Sequence, residues 1–181
     1  MNSQPEIKSH CQELLKEQKM SRQEIRELIS KTIDLTYCLK DYDWTFVNRP
    51  YGGCWFKTFT LPYPLLATQN ERFYLRQKVI IWLGFTDYVI NLWIKPYPER
   101  ESTCYMYTSD LMHRPKLKLK ACLIFQKIAK ELPKIIASIG TESFYDKTKQ
   151  KQIEVIPVLE LAEKIEQAFT GIRKAVLTAE E

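Results

Sequence analysis

The amino-acid sequence predicts an α+β fold, a curled antiparallel sheet with helices packed against it. Two observations point there. Most of the aromatic side chains fall between residues 42 and 109, on segments whose apolar positions alternate. Charged segments with helical spacing flank that block on both sides. The predicted order is an N-terminal helical hairpin (5–40), a central antiparallel meander of four to five strands (about 44–108, within a block 44–109), and two C-terminal helices (116–178) packed on the sheet. All of it is read as a single domain, 1–181.

The first helix follows from Ile7, Cys11, Leu14 and Leu15, which share one face over about 5–18. Lys19-Met20 interrupts it. Ser21 and Glu24 then fit a capping box, in which the serine takes an orphan N–H and the glutamate reaches back to the cap. Ile25, Leu28, Ile29 and Ile33 carry the second helix towards Leu39. This pair partly fits a helix-turn-helix, with Met20, Ser21, Ile25 and Leu28 at the turn and core positions. Lys19 and Leu15 stand where that motif wants Gly and a small residue, and Glu24 and Glu27 would face phosphates, so a plain αα-hairpin is the better reading.

From Trp44 the period changes to two. Trp44 to Arg49 is the first strand, and Pro50-Tyr51-Gly52-Gly53 the turn after it. Cys54 to Leu61 is the second, ended by Pro62-Tyr63-Pro64 because proline lacks the ladder donor. In the third, Phe73, Leu75, Val79, Ile81, Leu83 and Phe85 fall on one face, with Arg72, Tyr74, Arg76, Lys78, Ile80 and Trp82 on the other. Thr86-Asp87 reverses the chain into Tyr88 to Lys95, which Pro96-Tyr97-Pro98 closes. Thr103 to Thr108 is the last strand.

Pro115 opens a helix whose apolar side is Leu117, Ala121, Ile124, Ile128, Leu132, Ile135 and Ile139. Pro133 is expected to kink or break it, and Gly140 to stop it. Thr141 to Gln152 is polar and Lys-rich and reads as a linker. The final helix carries Val158, Leu161, Ala162, Ile165, Phe169, Ile172 and Val176 on a regular stripe, which can dock on its own sheet or on a second copy as a homodimer.

Composition bounds the function. A chain of 181 residues, 45% hydrophobic, can bury about 70% of its unfolded surface without a metal or disulfide. The net charge of +5 permits an anionic partner without requiring one. The five cysteines are odd in number and show no C-x-x-C pattern, which suits small buried hydrophobes in a reducing compartment. The polar start has no leader-like apolar run, and the longest apolar run, Val79 to Phe85, is far short of the roughly 20 residues of a membrane span. A soluble, cytoplasmic chain with no membrane partner is expected.

No metal-ligand cluster, phosphate-cradling glycine loop or nucleophile–base pair appears, so no cofactor, metal or catalytic residue is expected. The order helix, meander, helices is similar to that of ubiquitin-conjugating-type folds, whose nucleophilic cysteine follows the meander. Cys104 lies there, but without a His-Pro-Asn or a following Trp, and reads as a strand residue. His113 stands beside Arg114, near Asp110, with no nucleophile close by.

Lys116, Lys118, Lys120 and Arg114 crowd a helix start, where cations are disfavoured; the alternating Lys-Leu run could instead extend a strand, and the helix is expected to begin late, near Ala121. What remains is binding. Tyr51, Trp55, Tyr63, Trp93 and Tyr97, around the proline-rich loops, are candidate anchors for a protein partner, which makes an adaptor, assembly factor or inhibitor the leading expectation. The alternative is nucleic acid on a basic–aromatic strand face of Arg72, Tyr74, Arg76, Lys78 and Trp82, joined by Lys57, Trp93 or Lys95. Bases would stack on the rings and phosphates follow the cations.

Overall fold

The computed structural model describes residues 21, 23–24, 35–49, 52–86, 89–98, 105–110 and 117–179. The fold is α+β, as expected. Its strands are β1 (Thr45–Arg49), β2 (Gly52–Gln69), β3 (Arg72–Thr86), β4 (Val89–Tyr97), β5 (Tyr105–Asp110), β6 (Glu142–Asp146) and β7 (Lys151–Pro157). Its long helices are α1 (Leu117–Ala137) and α2 (Val158–Thr178). The sheet order is β5-β4-β3-β2-β7-β6, with β1 also paired to β2. β1 to β5 form the expected antiparallel meander. The sheet curls like a half-barrel with α1 and α2 against one face.

The core lies between that face and the helices. Trp55, Leu83 and Leu92 share one rank across β2, β3 and β4 and are almost wholly buried. Ile124, Phe125, Ile128 and Leu132 from α1, and Leu161, Ile165 and Phe169 from α2, meet them. The Trp55 ring sits 5.4 Å from Phe125 and 5.3 Å from Phe46, which ties sheet, helix and edge strand together. α1 and α2 run antiparallel, since Lys120 near the start of α1 donates to the Leu177 carbonyl near the end of α2. The α2 stripe expected to serve a fold or a dimer is therefore buried within the chain.

Four expectations are corrected. Pro62-Tyr63-Pro64 does not end β2, which continues to Gln69. Proline removes ladder donors but its φ suits extended chain, so pairing lapses while direction is kept. The Gln77 side-chain amide fills the gap by donating to the Leu61 carbonyl at 2.6 Å. Pro133 does not break α1. It is exposed and lies in the last turns, so the helix forgoes its bond near an end that water can solvate.

Thr141 to Gln152 is not a linker. It holds β6 and the start of β7, a hairpin in which Asp146 Oδ1 accepts from the Thr148 and Lys149 N–H groups. β7 then lies parallel to β2 through Leu65↔Ile156 and Leu66↔Pro157, so the sheet is mixed.

The fourth correction concerns the N-terminal hairpin. No helical hairpin is seen among the described residues, and most of 5–40 lies outside them. The helix does not reach Leu39: residues 35–42 make two 3₁₀ turns, Leu35–Tyr37 and Lys40–Tyr42. Tertiary bonds hold them, with Gln126 Nε2 donating to Cys38 O and Lys57 Nζ to Tyr42 O, both at 3.0 Å. The capping box is present. The Glu24 carboxylate accepts from the Ser21 N–H at 2.7 Å and the Ser21 hydroxyl at 2.8 Å. Ser21 Oγ accepts from the Glu24 N–H at 3.2 Å.

Phe125→Ala should lower unfolding free energy by about 3–5 kcal/mol, read from urea titration, because its ring fills the space between Trp55 and the helices. The bond from the Ser21 backbone, then that from its side chain, holds the Glu24 carboxyl below the usual range. The stabilisation this brings is full above the unfolded-state value and fades as pH falls through the lowered folded-state value. We expect NMR titration to find Glu24 below ordinary glutamates, and Ser21→Ala, which keeps the backbone donor, to move it only part of the way back up.

Candidate functional site

The opposite face of the sheet is built from β2, β3 and β4 in three ranks. The first is Phe56, Trp82 and Trp93; the second Thr58, Ile80 and Lys95; the third Thr60, Lys78 and Tyr97. Strand alternation puts these side chains away from the helices, because the ranks between them are the core. None of the nine positions is Asp or Glu, whereas two are Lys. Phe56 and Trp82 pack with ring centres 4.7 Å apart. The six-membered end of the Trp93 indole sits over Gly84, where an added Cβ would come within 2.8 Å of the ring. Glycine here lets the ring lie close to the sheet. Lys78 is exposed and Tyr97 is 42% exposed, while Phe56, Trp82, Trp93 and Lys95 are half-buried and Ile80 is buried beneath them.

Trp93 and Tyr97, expected as protein anchors, thus share a face with Lys78 and Trp82, expected as nucleic-acid contacts. The rest of both sets goes elsewhere. Trp55 is 1% exposed and inside the core, so it anchors nothing outside the chain. Its neighbour Phe56 takes the outward position; the alternation was legible, but not which parity met the helices. Tyr63 is exposed on the Pro62–Pro64 excursion, off the three ranks. Tyr51 lies outside the described residues.

The five-residue basic–aromatic face does not exist as one face. Between the pairs Thr60↔Lys78 and Leu65↔Arg76, residues 61–64 of β2 stand opposite Gln77 alone. An odd shift reverses the side to which one strand's side chains point. Tyr74 and Arg76 therefore lie beside the buried Ala67 and Leu65, and Tyr74 packs against the core. Arg76 stacks on Tyr74 at 4.7 Å and donates to the carbonyls of Leu75 and Pro98. Arg72 is exposed, with the same parity. Lys57 also faces the core side, where it bonds to Tyr42.

No cluster of three metal-ligating side chains occurs among the described residues. Cys104, His113, Arg114 and Lys116 lie outside them; Lys118 and Lys120 are in the first turn of α1, which begins at Leu117 and so does not start late. Cys38, Cys54 and Cys122 are free and buried. Burial, then the neighbouring Cys122, pushes the Cys38 thiol well up, which keeps it protonated and unreactive. No described helix is long and apolar enough to cross a membrane, which says nothing of a strand-built span. Set against protein-family models, curated proteins and solved structures, the chain finds no match.

Gly84→Ala should lift the Trp93 ring off the sheet. The expected readout is a shifted Trp93 indole N–H resonance in NMR, with a stability loss of about 1–3 kcal/mol from overpacking. An unmoved indole signal would show that the ring does not rest there.

Proposed function

We propose that the chain is a non-enzymatic binding protein that engages a protein partner through the outward face of β2, β3 and β4. The observation that carries this is the aromatic rank Phe56–Trp82–Trp93, with Tyr97 two ranks along the same face, on the side of the sheet away from α1 and α2. Large aromatic side chains at the centre of a partly solvated patch are the usual anchors of protein interfaces, and a rim of Thr and Lys suits one. Adaptor, assembly factor and inhibitor are all roles such a face can fill.

Nucleic acid is the second reading. Its support is the sign of the face, where Lys78 and Lys95 are the charged residues and no carboxylate stands among the three ranks. The reading is weaker because Arg72, Tyr74 and Arg76 leave that face at Gln77, so fewer cations remain to follow phosphates.

Affinity purification with Trp93→Ala and Tyr97→Ala tests the first reading. Each should weaken capture of a specific partner by about 2 kcal/mol, some thirtyfold, while leaving the fold intact. Retention of every partner by the double variant sinks it. For the second reading, binding of single-stranded oligonucleotide to two lysines should fall with log salt at a slope of about −1.4. Flat curves at low salt remove it.

A further inference from the structure

At the far end of the same sheet, past the reversal at Gln77, the outward side changes character. Phe73 is 63% exposed, and its ring centre lies 5.7 Å from that of Phe144 on β6. Leu66, Leu75 and Ile153 are half-buried, and Val155 is fully buried yet outside the main core. Together they make a small second apolar patch on the side opposite the helices.

The turn of the β6–β7 hairpin begins just beyond the Phe144–Ile153 pair, past Asp146 and Lys151. Lys147, Lys149 and Lys151 are all exposed, and none makes an ion pair among the described residues. The acid within the turn, Asp146, is 8% exposed and holds the Thr148 and Lys149 N–H groups, so it braces the turn instead of standing out from it. Gln150 completes the turn in the left-handed region at φ 51°. Glu142 and Glu154 sit at the hairpin's base, about 10–13 Å along the strands, beyond roughly one Debye length. The Glu154 carboxylate already accepts from the Thr141 hydroxyl. The tip is therefore a braced cluster of three cations that begins just past Phe144, whose ring meets Phe73, and the three lysines outnumber the two exposed carboxylates that stand two residues from those rings, Glu71 and Glu142.

We infer that this hairpin and Phe73 form a second contact point that takes an acidic protein segment, one carrying carboxylates next to a large apolar side chain. The inference rests on the reading of the chain as a protein binder and adds the partner's chemistry. Three unpaired lysines set the sign. The apolar patch that holds Phe73 and Phe144 suits a large apolar side chain, and one exposed ring is too little apolar area to seat in a bilayer. Exposed charge pairs around such an anchor contribute mainly to encounter rate and partner choice.

The test uses the full chain in its native host, with the photo-crosslinking residue benzoylphenylalanine placed at position 73 and, separately, at position 97. Position 73 should yield adducts on acid-rich protein segments. A synthetic peptide of the adducted segment should bind the purified chain, about tenfold more weakly after Lys147→Gln, Lys149→Gln and Lys151→Gln together. The inference is overturned by adducts to nucleic acid, lipid, this chain or a second copy, by segments with no acidic excess, or by peptide binding indifferent to the lysines. A partner captured at position 97 with nothing at 73 sinks this inference alone. Nothing captured at either sinks the protein-binding reading with it.

Discussion

Much of this molecule depends on a mismatch between two strands. Where β2 carries Pro62-Tyr63-Pro64, it runs through more residues than β3 does opposite, and only Gln77 bridges the gap. Because the shift is odd, β3 turns its side chains over. Before it, Tyr74 and Arg76 face the core; after it, Val79, Ile81, Leu83 and Phe85 do. The outward surface is thereby divided into an aromatic rank near Trp82 and a smaller apolar patch around Leu75 and Phe73. A proline pair that cannot donate to the ladder thus sorts residues far beyond its own position.

The parts legible in the sequence were those with strong local periodicity. The meander follows from alternation in β3 and β4, both long helices from apolar spacing, and the cap at Ser21 from its partner Glu24. β6 and β7 were missed because Phe144, Tyr145 and Ile153 are too few to show a period among polar neighbours. Asp146, which receives the turn's N–H groups, was the available signal. The choice between Trp55 and Phe56 could not be read locally, since adjacent residues on a strand face opposite ways and only the position of α1 decides which is inside. The division of the basic–aromatic set at Gln77 is likewise a property of the pairing partner, not of β3's own sequence.

The outward aromatic face combines two physical traits. Gly84 lets Trp93 settle onto the backbone, and Phe56 props Trp82, so large rings are held without a covering layer among the described residues. Fixed rings lose little rotamer freedom on contact, which favours association over a loose surface of the same area. Among the described residues, Cys38 and Cys122 are enclosed where the 3₁₀ turns meet α1.

The parallel pairing of β2 with β7 has a consequence for biosynthesis. Leu65 meets Ile156 only after α1 and the β6–β7 hairpin have left the ribosome, because synthesis runs from the N-terminus. Until then, one edge of β2's second half has no strand beside it and waits on β7. Such distant pairing closes slowly, so a nascent or truncated polypeptide spends that interval with a sticky flank for chaperones to guard.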